Sequence, residues 1–215
     1  MYIWYIIYER LECDIMKRQP VVYRMLRPIL KGLFVFLYRP TIEGRENIPK
    51  KGRVVVCGNH THNWDSAILL SSTKRTVHFL AKDELFKGFG KYFFKAMACI
   101  PVNRRQKDHN AMDSAIKVLE SDELIGIFPE GTFNRTKDIV MPFKYGAVSM
   151  AYKTNSTIVP FSITGKYKMF KKNSVKICFG KPYKIKTDDL TEANNELMEK
   201  VKKLIIKNRK GDINE

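Results

Sequence analysis

The chain has 215 residues, enough for one substantial domain, and its 44% hydrophobic and 12% aromatic content supplies a core. Thirty-nine Lys+Arg against 22 Asp+Glu leave a formal charge of +17, which favours anionic partners: nucleic acid, an anionic bilayer, or acidic small molecules and carrier proteins. No run reaches the roughly 20 apolar residues of a membrane span. Cysteines 13, 57, 99 and 178 form no Cys-x-x-Cys pair, and no Cys/His cluster has metal spacing, which sets aside a disulfide scaffold and a zinc module.

The first residues, Met1 to Tyr8, are apolar but lack the basic start and small-residue cleavage site of a signal peptide. Residues 17–38 follow, with Met25 to Arg39 apolar and aromatic and punctuated by Arg and Lys. That composition predicts a helix lying in a membrane interface or packed on the protein's own core. From about residue 53 short β-rich runs alternate with helical periodicity. The strand runs are Val54 to Cys57, Val77 to Ala81, Cys99 to Val102, Leu124 to Phe128, Thr157 to Ile163 and Val175 to Phe179. Ser66 to Leu70 open a helix. Met112, Ala115, Ile116 and Leu119 repeat at i, i+3, i+4, i+7 and mark another. Phe143 to Tyr152 predict a further helix, and Leu197, Val201, Leu204 and Ile205 give the tail one apolar face. Strands alternating with helices predict a single layered α/β domain: a mixed, largely parallel sheet flanked by helices, over residues 41–210. Residues 1–40 would form an N-terminal helical docking element. Eight lysines between Lys166 and Lys186 make a basic band.

Four places carry chemistry. Asn59-His60-Thr61-His62-Asn63-Trp64-Asp65 joins a buried strand to a helix, where α/β folds place their sites. A histidine held by Asp65 is a ready general base, and spacing alone leaves both His60 and His62 open. Phe128-Pro129-Glu130-Gly131-Thr132 is a polar turn after a strand. Its glycine allows close backbone approach, and its Glu130 and Thr132 offer groups to a polyol or to a neighbouring arginine. Ile100-Pro101-Val102-Asn103-Arg104-Arg105 puts phosphate-binding arginines at a strand end. Pro160, inside Ile158 to Ile163, predicts an edge or a bulge. No Gly-x-Ser-x-Gly elbow occurs, so the histidine would activate a substrate hydroxyl directly rather than a protein nucleophile.

These four blocks, in this order, resemble the glycerolipid acyltransferase family, in its bacterial 1-acyl-glycerol-3-phosphate type. Asn59, His60 and Asp65 match its Asn-His-x4-Asp block. Ile100, Pro101, Val102 and Arg104 match Ile-Pro-Val-x-Arg. Phe128 to Thr132 match Phe-Pro-Glu-Gly-Thr, and Val159, Pro160 and Ile163 match Val-Pro-x-x-Ile. Lys82 to Leu85 and Phe143 to Ala147 also resemble family stretches, and the likeness spans roughly residues 40–185. The resemblance selects His60 as the base and Asp65 as its orienting partner. It implies acyl transfer from a coenzyme A or acyl carrier protein thioester to a lysophosphatidic acid hydroxyl, giving phosphatidic acid on the cytoplasmic face of the membrane, with no metal or other cofactor. Arg104, Glu130, Gly131, Thr132 and Asn59 would hold the acceptor. Two departures stand out. Ala98 replaces a common glycine, and Phe133 replaces a common arginine, whose place Arg135 or Lys137 would then fill. Phe133 keeps another lysophospholipid or aminolipid acceptor in view. A non-catalytic membrane-surface protein is a reading of a different class, and no nucleic-acid motif accompanies the charge.

Overall fold

The computed structural model describes residues 21–103 and 108–211. Seven strands form one sheet: β1 (Thr41–Glu43), β2 (Val54–Gly58), β3 (Val77–Lys82), β4 (Ile100–Val102), β5 (Leu124–Ile127), β6 (Thr157–Gly165) and β7 (Val175–Phe179), in the order β1-β7-β6-β2-β5-β3-β4. Among the described strands only β6 and β7 pair antiparallel; the other neighbours are parallel. The expected mixed, largely parallel sheet is what forms. β1 and a seven-residue helix α3 (Gly90–Ala96) are additions that the sequence reading did not specify.

β2 is the central strand, flanked by β5 and β6. Its Val54, Val55, Val56 and Cys57 are fully buried because both faces of the sheet are covered, so the run is continuously apolar rather than alternating. One face carries α4 (His109–Glu120), α5 (Gly146–Lys153) and α6 (Leu190–Gly211), with Ala115, Leu119, Val148, Leu197, Val201 and Ile205 in the core beneath them. The other face carries α2 (Asp65–Ser72) and the first described helix, α1 (residues 21–38), with Ile68, Leu69, Phe34 and Tyr38 packed inward. Each such side chain contributes about 1.5–3 kcal/mol relative to exposure.

Helix α1 has two apolar faces. Tyr23, Phe34 and Tyr38 are buried, and the Tyr23 hydroxyl accepts from the Val77 N–H (3.1 Å). Met25, Ile29, Leu33 and Phe36 point outward, at i, i+4, i+8, i+11, and each is more than half exposed. Packing on the core and presenting an apolar stripe are therefore both true of this helix.

Of the edge or bulge expected at Pro160, the bulge is what forms: Pro160 lies inside β6, between β2 and β7. It is tolerated because the β7 side is irregular there. From Ile158 to Phe161 β6 advances three residues, while the facing chain advances four, from Phe179 to Tyr183, so no ladder donor is needed at the proline. The helix expected from Phe143 starts only at Gly146, because the Lys144 N–H donates to the Pro129 carbonyl (2.8 Å) and ties that segment to the Pro-Glu-Gly turn.

Ala98 has φ 56°, the left-handed region that a glycine accepts without steric cost. Ala98→Gly is expected to stabilise the fold by about 1 kcal/mol, raising Tm by a few degrees in thermal unfolding. A lowered Tm would show that the alanine methyl's packing outweighs the backbone strain.

Candidate active site

The C-terminal ends of the parallel strands β2, β5, β3 and β4 share one sheet edge, and β6 ends there too. The Asn59–Asp65 and Phe128–Thr132 blocks leave the sheet at this edge and Ile100–Val102 form β4 leading to it, whereas Val159, Pro160 and Ile163 lie within β6. Gly58 ends β2 against β6 so closely that an added Cβ would meet the Phe161 carbonyl oxygen at 2.2 Å. The chain then turns through residues 59–64 into α2.

Asp65 is fully buried and collects donors from all sides of that turn. Its Oδ2 lies 2.9 Å from His60 Nδ1 and accepts from the Thr61 and His62 backbone N–H groups. Its Oδ1 accepts from the Tyr167 hydroxyl at 2.7 Å. A carboxylate so placed only accepts, so Nδ1 carries the hydrogen and the other ring nitrogen presents a lone pair. The imidazole is 12% exposed, stacked on Phe128 (centroids 4.0 Å, interplanar 13°) and flanked by Phe133 at 4.4 Å. His62 is excluded as the ring partner. Its backbone serves Asp65, while its own ring accepts from the Trp64 N–H and lies on Tyr167.

Glu130, expected among the substrate-binding groups, does something else. It is 3% exposed, and its two oxygens accept from the His60 N–H (2.9 Å) and the Met141 N–H (2.8 Å). It staples the turn after β5 to the turn after β2. Burial pushes its carboxyl above the usual range, and the two backbone donors pull against that. Asn59 is corrected in the same way. It is buried, and its amide donates to the Ile163 carbonyl (2.9 Å) and accepts from the Ile163 N–H (2.7 Å), so it clasps β2 to β6 rather than facing a ligand.

Gly131 adopts φ 72°, and a Cβ there would lie 2.9 Å from Lys144 Cε and 3.0 Å from its Nζ. The glycine thus makes room for an ammonium at this turn. Thr132 is exposed beside it, and Arg135 and Lys137 sit on the exposed loop that follows. That loop is pinned to the site by the Asn134 N–H, which donates to the His60 carbonyl at 2.8 Å. Arg104 lies outside the described residues. Among the described residues no cluster of three or more His, Cys, Asp or Glu is arranged to hold a metal ion.

The sequence reading missed four contributors. Tyr167 reaches Asp65 across 102 residues of chain and follows no motif. Phe128 and Phe133 were placed in or beside a motif, but their stacking on the histidine had no signal. Lys144 lay within a stretch already noted as family-like, but its approach to Gly131 is set by the fold and had no local signal.

Glu130→Gln keeps the shape but leaves an amide NH2 facing one of two backbone N–H donors. It is expected to cost about 1.5–3 kcal/mol, the value of a hydrogen bond to a charged group, and so to lower Tm by roughly 3–10 °C. An unchanged Tm would release Glu130 from its role as a brace.

Residues 39–164 match the acyltransferase family. The chain is 36% identical over 155 residues to the 1-acyl-sn-glycerol-3-phosphate acyltransferase of Borreliella burgdorferi, covering 70% of this chain and 62% of that protein. It is 31% identical over 168 residues to the protein of the same name from Bacillus subtilis, covering 75% and 82%. The chain thus spans less than two thirds of the Borreliella relative and more of the Bacillus one. The crystal structure of the 1-acyl-sn-glycerophosphate (LPA) acyltransferase PlsC from Thermotoga maritima superposes with a TM-score of 0.73 at 26% identity, over 90% of this chain and 82% of that one. With more than half of its length matched to the family and the His60–Asp65 pair set at the sheet's edge within that match, the chain belongs to the acyltransferase family.

Proposed function

We propose that this protein transfers a fatty acyl group from an acyl thioester, on coenzyme A or acyl carrier protein, to the free sn-2 hydroxyl of 1-acyl-glycerol-3-phosphate, giving phosphatidic acid at the cytoplasmic face of the membrane. The observation that carries the proposal is the 2.9 Å contact between His60 Nδ1 and the buried Asp65. The names of the Borreliella and Bacillus relatives support the acceptor.

Asp65 fixes the imidazole's tautomer and orientation. The free ring nitrogen takes the acceptor's hydroxyl proton as that oxygen attacks the thioester carbonyl. The tetrahedral intermediate collapses by breaking the carbon–sulfur bond, and the imidazolium returns the proton to the departing thiolate. A thioester is already activated, so a base and positioning suffice. Direct transfer also fits the thiols: burial pushes Cys57 upward and Cys99 up to about 12, leaving both as poor nucleophiles.

The acceptor's phosphate is assigned to Lys144 at the Gly131–Thr132 turn, with Arg104, Arg135 and Lys137 as further cations. Residues 1–40 serve as the docking element and 41–210 as the transferase domain. Among the described residues no helix is long and apolar enough to cross a membrane. The outward stripe of α1 instead suits an interfacial position. A non-catalytic membrane-surface protein would have no use for a histidine so tightly oriented by a buried carboxylate. Phe133 favours one second reading: it packs on the histidine and offers no cation, which suits the same chemistry on another lysophospholipid or an aminolipid.

His60→Ala is expected to keep its fold and vesicle binding while losing about 10²–10⁴-fold in turnover, measured with labelled acyl donor. Turnover near that of the unaltered protein would remove His60 as the base. Lys144→Ala is expected to raise KM for lysophosphatidic acid about tenfold, a charge-assisted contact's worth, with kcat little changed. The same KM before and after, or preferred turnover of lysophosphatidylcholine in a lysolipid panel, would transfer the headgroup assignment to the second reading.

A further inference from the structure

The hairpin between β6 and β7 carries a cavity of about 330 Å³ walled by Thr164, Lys166, Lys168, Lys171, Ser174 and Lys176, with Asn173 at its side. Lys176 is bound to Glu43 at 2.8 Å. Lys166, Lys168 and Lys171 have no carboxylate partner among the described residues. Thr164 is 6% exposed, and its hydroxyl oxygen has no hydrogen-bond partner among the described residues. A buried, unpartnered hydroxyl among cations calls for a ligand. The pocket is held in shape by the hairpin itself. The Lys166 N–H donates to the Ser174 carbonyl (2.7 Å), and Gly165 sits so close that a Cβ would meet the same oxygen.

Between the lysines, Met169 and Phe170 are about three-fifths exposed. They do not stand alone. The Phe170 ring meets Phe36 of α1 edge-on at 6.0 Å, the Phe170 N–H donates to the Leu37 carbonyl, and the Asn173 N–H donates to the Arg39 carbonyl. The hairpin tip thus continues the outward apolar stripe of α1. A soluble anion would need the cations and the hydroxyl but would have no use for two large exposed apolar side chains. A bilayer uses both: side chains enter the acyl boundary while lysines meet headgroup phosphates.

We infer that the β6–β7 hairpin is a second contact with the bilayer, separate from α1, in which Thr164, Lys166, Lys168 and Lys171 hold the phosphate of an anionic phospholipid. It rests on the interfacial reading of α1 given above. The substrate's own phosphate is assigned elsewhere, at the Gly131 turn, so this pocket grips lipid that is not being acylated.

Sedimentation of the full chain with vesicles tests it. One set is phosphatidylcholine; the other contains about 20 mol % phosphatidic acid. The Lys166→Gln, Lys168→Gln, Lys171→Gln triple variant is expected to lose about 100-fold in partition onto the anionic vesicles and nothing on phosphatidylcholine. Undiminished anionic binding overturns the inference. Thr164→Val is expected to reduce the preference for phosphatidic acid over phosphatidylglycerol at matched surface charge; the same preference as before overturns the pocket. Release from the vesicles by inorganic phosphate at constant ionic strength overturns the lipid in favour of a soluble anion. Ile29→Ser with Leu33→Ser separates the two readings. Weaker binding to both vesicle types supports α1 as the apolar contact, whereas full binding removes the α1 reading and leaves the lysine variant to decide the hairpin.

Discussion

A carboxylate with no exposed surface must have its acceptor sites filled, and Asp65 fills them with donors from residues 60–62 of its own turn and from the distant Tyr167. Taking such a group out of water is costly unless it is fully bonded. That constraint dictates the turn. The chain between Gly58 and Asp65 must curl so that the Thr61 and His62 amides and the His60 ring all face one oxygen. The start of α2 adds its own favourable dipole. The histidine's orientation is thus a by-product of satisfying the buried charge.

Glu130 is the second buried carboxylate, and it works on the backbone where Asp65 works on the ring. It bonds the amide of His60 from the far side and ties it to Met141, while Asn134 takes hold of the His60 carbonyl. His60 is therefore fixed at its amide, its carbonyl and its ring, with Phe128 stacked against its face. A residue proposed as a base gains from such restraint, because proton transfer depends on a donor–acceptor distance that loose side chains rarely hold.

The parts of this arrangement that were legible in the sequence are those written locally. Val54 to Cys57 read as a buried strand because both faces of a parallel sheet are covered. His60 and Asp65 are five residues apart on one turn, so their meeting was a short-range possibility. What was not legible is set by contacts between distant segments. Glu130 was expected to face the substrate, since nothing in Phe-Pro-Glu-Gly-Thr tells that its carboxylate accepts from the backbone N–H groups of residues 60 and 141. Asn59 read as a ligand for the same reason, although Ile163 takes both ends of its amide. Pro160 pointed to an edge or a bulge because a proline removes a ladder donor. That the bulge is the one that forms depends on the length of the chain from Phe179 to Tyr183, which the local run does not show. Phe143 and Lys144 were read into the following helix, but the Pro129 carbonyl takes the Lys144 amide instead.

The aromatic residues join the helix with the outward apolar stripe, α1, to this charged centre. Tyr38 and Phe34, on the inward face of α1, lie 5.7 and 6.3 Å from the Tyr167 ring, and both also approach Trp64, the residue before Asp65. Tyr167 in turn gives its hydroxyl to Asp65, and burial beside that carboxylate pushes its own ionisation far upward, so it stays a donor. The helix that presents an apolar stripe outward is therefore the one whose inward rings pack around Tyr167 and Trp64. Displacing α1 would open Tyr167 to water and remove one of the donors that make a buried Asp65 affordable. Helix seating and histidine orientation are then two readouts of one packed cluster, which is why the pair at the sheet edge cannot be understood from residues 59–65 alone.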